Sequence, residues 1–236
     1  MKVLCLLLVV SSALAIPFIP KSGKEWTPES LVNPDELGEF FEGDIMLPLP
    51  PRGKNGLLDE RYRWTNGVVP LRVQFTVHLF PDLRGAAGVF RLREPHRGLH
   101  HLQREDLRDY VGKIGGSQTI NYPQWCLDQY GSVQHEMYHA LGFHHEQSRF
   151  DRDDYVTIMW DNIQSGAEHN FDKYSNTVVG AFGENYDYGS VMHYSAYAFS
   201  DNGQKTIVTV DPDAQIGQRV GLSQVDINKL MNMYNC

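Results

Sequence analysis

The chain has 236 residues, of which 42% are hydrophobic and 21% charged, and its formal net charge is −8. This composition is typical of a globular protein and excludes a fibrous or disordered chain. The acidic balance argues against a nucleic-acid partner and an anionic membrane surface, because both require a concentration of basic residues.

The first predicted element is a secretory signal peptide over residues 1–15. It combines one lysine, an apolar run over residues 3–10, and small residues at Ala13 and Ala15. A signal peptidase accepts such a pattern, and we predict cleavage after Ala15. The alternative, a membrane anchor, needs about 20 apolar residues, and this run is far shorter. We therefore expect a secreted, extracellular protein without a membrane anchor.

Residues 16–54 form a predicted propeptide. Their high proline density prevents long helices and indicates an extended leader. Within it, residues 39–45 place apolar side chains around Gly43 and Asp44. Arg52 and Lys54 follow, and a trypsin-like protease could cut after either one. The domain that we predict to follow spans residues 55–236.

The next stretch begins with a clear strand signal and then loses all periodicity. Apolar and polar residues alternate over residues 71–79, which predicts a half-buried strand. Residues 81–109 are rich in arginine and histidine, contain no lysine, and follow neither a helical nor a strand period. We treat residues 81–109 as an atypical part of the domain.

Four further elements are predicted towards the C-terminus. Residues 114–120 follow a tight turn and are expected to form a strand, and residues 132–141 a helix. The β-branched residues over 206–210 predict a late strand. Apolar residues at helical spacing over 222–234 predict a closing helix.

The predicted helix over 132–141 carries two histidines and a glutamate that could form a metal site. His135 and His139 are four residues apart and therefore lie on one helix face, where both can bind one ion. Glu136 lies beside them and can reach a water molecule on that ion. Two surface histidines at this spacing also occur without metal, so this motif needs further support.

That support comes from the residues after the helix. Gly142 can adopt the left-handed conformation that ends a helix, and the chain can then turn back to deliver a third imidazole. The motif spacing favours His145 over its neighbour His144 as this third ligand. Three neutral imidazoles suit zinc, and the sequence therefore predicts one Zn²⁺ per chain.

A second signal lies at residues 190–194, about 45 residues after His145. Alone, this stretch would be only an aromatic-rich turn. Behind an extended zinc motif, Met192 can form an apolar floor below the metal, and Tyr194 can place its phenol near it.

Together these stretches resemble the astacin family of metzincin zinc metalloendopeptidases. The resemblance is carried by residues 139–153, 190–194, 216–223 and 64–70. It implies an α+β domain with two lobes: an upper lobe with a twisted sheet and the active-site helix, and an irregular lower lobe. Protein or peptide substrates would bind in the cleft between them.

The resemblance also implies roles for individual residues. His135, His139 and His145 would bind zinc, with Tyr194 as an additional ligand that moves off the metal to stabilise the developing oxyanion. Glu136 would take the proton of the attacking water and later protonate the leaving amine.

The propeptide segment 41–44 resembles the inhibitory motif of the family. Asp44 would then occupy the metal position that the catalytic water needs and keep the zymogen inactive. The alternative is an ordinary exposed acidic turn. The expected mature start is Asn55, after a cut at Lys54, and its new α-ammonium would lie near Glu146.

Residues 81–109 depart from the family pattern. Family members have there a long helix, further sheet and two cysteines, whose partners would correspond to Cys126 and Cys236. Those two could pair with each other or stay free. An altered exon or a divergent surface insertion would explain the segment. The alternative function is a secreted zinc-binding protein with impaired catalysis, although the general base Glu136 favours an enzyme.

Overall fold

The structure is a computed structural model that describes residues 18–20, 25–27, 30–46, 58–67, 69, 110–116, 118–122 and 129–236. The predictions of a signal peptide, a cut after Arg52 or Lys54, a strand over 71–79 and a disulfide at Cys126 lie outside these ranges. Within them, no helix has the length and apolar character that crossing a membrane requires. Cys236 is exposed and free.

The central helix α1 spans Tyr130–Leu141 and begins two residues before its predicted start. Most of its residues are buried, so α1 lies inside the fold. It begins with a close approach: a Cβ at Gly131 would lie 1.9 Å from the carbonyl oxygen of Arg219, so only glycine fits. It ends at Gly142, whose φ of 110° is left-handed and whose N–H donates to the carbonyl groups of Tyr138 and His139.

Two short strands pair beyond α1. Strand β1, Val156–Ile158, is antiparallel to β2, Ile207–Thr209, with Val156 opposite Thr209 and Ile158 opposite Ile207. The predicted strand over 206–210 is therefore confirmed in a shorter form. Its partner β1 was not predicted.

The closing helix α2 spans Gln224–Tyr234, two residues shorter at its start than predicted. Ser223 caps it: its side chain accepts from the Asp226 N–H, and the Asp226 carboxylate accepts from the Ser223 N–H. The Asp226 carboxylate also accepts from the Ser190 hydroxyl and the Val191 N–H. This carboxylate therefore attaches the start of α2 to the 190–194 turn.

The strand predicted over 114–120 is wrong for the residues that the structure describes there. Gly115 and Gly116 both have positive φ, 87° and 68°, which breaks the extended conformation of a strand. The side chain of Gln118 also makes hydrogen bonds to backbone groups that a neighbouring strand would otherwise pair with. It accepts from the Ile114 N–H at 3.1 Å and donates to the Gly112 carbonyl at 2.9 Å.

Two hydrophobic clusters meet at the 190–194 turn. Val191 and Met192 belong to the first, which packs α1 against α2, and Tyr194 belongs to the second, around β1 and β2. All three side chains are buried. The fold class is α+β as predicted, and four short 3₁₀ turns lie between the two helices.

Candidate metal centre

Three histidines and Asp44, which lies 91 residues before the first of them, converge into one buried cluster. His135, His139, His145 and Asp44 are each at most 1% exposed, and their ligand atoms all lie within 4.8 Å of one another. One Asp44 oxygen, Oδ2, is 3.1 Å from Nε2 of His135 and 3.5 Å from Nε2 of His145. The other, Oδ1, is 3.5 Å from Nε2 of His139.

Local structure explains how the three imidazoles meet. Helical spacing places His135 and His139 on one face of α1. The left-handed turn at Gly142 then reverses the chain, and the N–H of Glu146 donates to the carbonyl of Met192 at 3.0 Å. His145, rather than His144, joins the cluster, whereas the His144 ring packs against Tyr174 with a centroid distance of 4.3 Å.

Each imidazole has an acceptor on its outer nitrogen. Nδ1 of His135 donates to the carbonyl of Val191 at 2.8 Å, and Nδ1 of His139 donates to the carbonyl of Phe143 at 2.7 Å. Nδ1 of His145 lies 2.7 Å from Oε2 of Glu42. Because these oxygens are acceptors, the protons belong on Nδ1, and the Nε2 lone pairs face inwards.

This inward arrangement fits a cation. Nε2 of His135 and Nε2 of His145 lie 3.2 Å apart, so two lone pairs face each other in the neutral tautomers. Nε2 of His139 and Oδ1 of Asp44 are buried and make no hydrogen bond to a residue that the structure describes. A metal ion between the four groups satisfies them all, and imidazole with carboxylate is a donor set typical of zinc.

The metal-free cluster has strongly perturbed pKa values. Burial acts to lower the pKa of His145, but the carboxylates of Asp44 and Glu42 outweigh it and raise it to about 10. Burial lowers the pKa of His135 to about 4. For Asp44, burial acts to raise the pKa, and the neighbouring His145 and His139 hold it well below its usual range. Asp44 is therefore an anion, ready to bind a cation.

Tyr194 also lies at this centre, and Glu136 is a buried neighbour of His135 along α1. Tyr194 is completely buried with its ring centroid 4.6 Å from that of His145. Its hydroxyl donates to the carbonyl oxygen of Glu42 at 2.7 Å. The segment with Glu42 and Asp44 thus contacts both the imidazole cluster and the phenol.

Sequence reasoning missed several acidic residues of that segment. Asp35 forms a buried ion pair with Arg219, and its Oδ2 lies 3.9 Å from Nε2 of His135. Glu36 accepts from the N–H and the hydroxyl of Ser195 at 2.5 and 2.6 Å. The available signal was the acidic pair in residues 33–36, in front of the 41–44 motif.

Glu146, the expected partner of a new N-terminus, is already paired in the full chain. Its carboxylate accepts from Nζ of Lys229 at 2.8 and 2.7 Å, from Arg149 at 3.2 Å and from the Asp187 N–H at 2.9 Å. These contacts attach α2 to the stretch just after His145.

A buried cluster of three imidazoles next to a glutamate, on an α+β scaffold, defines a zinc peptidase. Residues 96–235 match the family model "Astacin", which describes a peptidase family. The chain is 35% identical over 222 residues to zinc metalloproteinase nas-4 of Caenorhabditis elegans, covering 85% of this chain and 70% of that protein. The chain belongs to the astacin family of zinc metallopeptidases.

Two further similarities agree with this assignment. Meprin A subunit beta of Homo sapiens is 36% identical over 219 residues, which are 84% of this chain but 30% of meprin. The structure of high choriolytic enzyme 1, a hatching enzyme zinc-protease from Oryzias latipes, superposes with a TM-score of 0.63 at 31% identity. The match covers 75% of this chain and 96% of that chain.

Proposed function

We propose that the protein is a secreted endopeptidase made as an inactive zymogen, with residues 1–15 as signal peptide, 16–54 as propeptide and 55–236 as catalytic domain. The observation that supports this most directly is the position of Asp44, whose carboxylate lies 3.1 to 3.5 Å from all three Nε2 atoms. A carboxylate there takes the place that a water molecule needs for hydrolysis. Asp44 thereby keeps the enzyme latent.

His135, His139 and His145 would hold a zinc ion through their Nε2 atoms. Such an ion would supply Lewis-acid activation of the peptide carbonyl and of a water molecule. Glu136 accepts the proton of the attacking water and then donates it to the leaving amine. The Tyr194 hydroxyl, which bonds to Glu42 in the full chain, becomes free to donate to the developing oxyanion once the propeptide leaves.

Arg219 also supports an assignment of substrate class. Lys205 is exposed to solvent. The buried guanidinium of Arg219, in contrast, pairs with Asp35, whose carboxylate lies 3.9 Å from Nε2 of His135 in the cluster. Removal of the propeptide takes Asp35 away and leaves the guanidinium next to the metal centre. An acidic side chain of a protein or peptide substrate, close to the scissile bond, would replace Asp35 there.

The activating cut is the step that tests the zymogen proposal. A trypsin-like protease cutting after Lys54 would release the propeptide and leave Asn55 as the new N-terminus, whose ammonium would approach Glu146 beside Lys229. The secreted, zinc-loaded chain should cleave quenched peptides only after trypsin treatment, and a chelator should abolish the cleavage.

A matched pair of variants locates the cut. Lys54→Gln should prevent activation by trypsin at Asn55, and Arg52→Gln should leave it unchanged, as mass spectrometry of the new N-terminus would show. Absence of cleavage by folded, zinc-loaded and processed protein would refute the enzyme and favour the zinc-binding protein with impaired catalysis.

A further inference from the structure

Glu42 of the propeptide segment makes four hydrogen bonds to residues far away in sequence. It is completely buried. Its N–H donates to Oδ1 of Asn170 at 2.9 Å, and its carbonyl accepts from the Tyr194 hydroxyl at 2.7 Å. Its carboxylate accepts from the Tyr174 hydroxyl at 2.5 Å and lies 2.7 Å from Nδ1 of His145. Every polar group of this residue is therefore engaged.

The backbone of Glu42 supports a positioning role. Its φ of 51° lies in the left-handed region, which residues other than glycine rarely adopt. The turn over residues 40–43, which contains Glu42, closes through the Gly43 N–H, which donates to the carbonyl of Phe40 at 3.0 Å. This strained turn points the Glu42 carboxylate at His145 and the Asp44 carboxylate at the centre of the cluster.

The three imidazoles differ in what orients them. His135 and His139 donate to carbonyl groups of Val191 and Phe143, within residues 129–236. His145 instead faces a carboxylate from the segment that we propose is removed on activation. A carboxylate on the outer nitrogen fixes the tautomer of an imidazole and strengthens its bond to a metal.

We infer that Glu42 is a positioning residue of the zinc centre in the zymogen, directing Nε2 of His145 at the metal and strengthening zinc binding until the propeptide is removed. This inference rests on the proposed zymogen function. It adds a second task to the propeptide: Asp44 blocks the metal, and Glu42 secures the third metal ligand. Activation removes both carboxylates in one step, and the Tyr174 and Tyr194 hydroxyls lose their acceptor with them.

The test measures zinc retention in the unprocessed chain. Glu42→Gln keeps the shape of the side chain and removes its charge, and Glu42→Ala removes the acceptor altogether. The matched control is Glu39→Gln, the same change at an exposed position three residues away. Zinc-loaded full-length chains are titrated with a chromophoric chelator.

We expect about tenfold weaker zinc binding for Glu42→Gln and up to about a hundredfold for Glu42→Ala, the usual range for outer partners of metal ligands. Glu39→Gln should match the unmodified chain. Substituted cobalt gives a second readout, because its visible absorption reports ligand geometry and should change only in the two Glu42 variants. Unchanged zinc affinity in both Glu42 variants would overturn the inference.

Processing provides an internal control for misfolding. After trypsin cleavage at Lys54, residue 42 is gone from every chain, and all variants should show the same zinc affinity and peptidase activity. A difference that persists in the processed chains would also overturn the inference. The two proposals separate cleanly: equal zinc binding with intact latency refutes only the role of Glu42, whereas a full chain that never binds zinc refutes the zymogen proposal as well.

Discussion

The two parts of the chain that meet at the zinc centre, helix α1 and the segment over residues 33–44 that we propose belongs to a propeptide, are built in opposite ways. The helix is regular, and its own hydrogen bonds and the glycine at its end set its ligands in place. The segment has one short 3₁₀ turn and one tight turn. It nevertheless buries four carboxylates, each at most 2% exposed: Asp35, Glu36, Glu42 and Asp44.

Burying a carboxylate costs several kcal/mol unless donors or cations compensate it. Each of the four is compensated by a group outside the segment, among them Arg219, Ser195, Tyr174 and His145. The segment is therefore held mainly by charge complementarity, whereas α1 is held by its backbone and its packing. Changes of single charges should act on the segment and leave α1 in place.

The largest expected effect is on the rate of peptide hydrolysis and comes from a residue of α1. Glu136→Gln in the processed chain removes the group that we propose takes the proton of the attacking water. General acid–base catalysis typically contributes about 10² to 10⁴ in rate, and we expect a loss of that size. Zinc content and thermal unfolding should match the unmodified chain, because α1 does not depend on this charge. Activity within tenfold of the unmodified chain would contradict the assigned role.

The next effect concerns the stability of the segment. Asp35→Asn removes the carboxylate that pairs closely with the buried Arg219 guanidinium and leaves only Glu36, at 4.0 Å. Breaking a buried pair in this way costs about 3 to 5 kcal/mol. Chemical denaturation of the full chain should show this loss. Asp59→Asn, which breaks an exposed pair with Arg61, is the matched control and should leave the free energy of unfolding unchanged. Equal behaviour of the two variants would show that charge complementarity does not hold the segment.

Asp44→Asn should weaken latency without processing. Each charge-assisted contact of the carboxylate contributes about 1.5 to 3 kcal/mol, so losing one raises the open fraction roughly tenfold to a hundredfold. Peptide cleavage by the unprocessed variant should rise by that factor. After trypsin treatment the variant and the unmodified chain have the same sequence and should be equally active. An unprocessed Asp44→Asn chain that stays as inactive as the unmodified one would contradict the proposed block.

The contrast between helix and segment also explains what the sequence could predict. Local periodicity and the glycine at 142 were sufficient for α1 and α2 to within two residues, and the motif spacing brought three imidazoles together. The bonds from Glu42 to His145, Tyr174 and Tyr194 bridge more than a hundred residues and follow no period.

The wrong strand over 114–120 has a local cause. Its position after a tight turn indicated a strand, but two consecutive glycines with positive φ and the Gln118 side chain replace strand pairing with a turn. Ion pairs such as Asp35 with Arg219, 184 residues apart, leave no local signal at all. Which of the many acidic residues become buried therefore depends on long-range contacts in the folded chain.

The last prediction concerns the pH dependence of the zinc-free full chain. His135, His144 and His193 have pKa values lowered to about 4, mainly by burial, so folding favours their neutral forms. Their contribution to stability is complete above the unfolded value of about 6.5 and is lost as pH falls towards 4. The loss of stability at low pH therefore comes from histidines on α1 and in the residues that surround it.

The loss of stability at high pH depends on the carboxylates of the segment over residues 33–44. Against the effect of burial, Asp44 and Glu42 raise the pKa of His145 to about 10. Its contribution is therefore complete below about pH 6.5 and is lost as pH rises through 10. Thermal unfolding of the zinc-free chain should show maximal stability near pH 6.5. The processed chain lacks these carboxylates. Its stability should still fall at low pH but should no longer fall at high pH. An identical fall at high pH in both chains would contradict the role of Asp44 and Glu42.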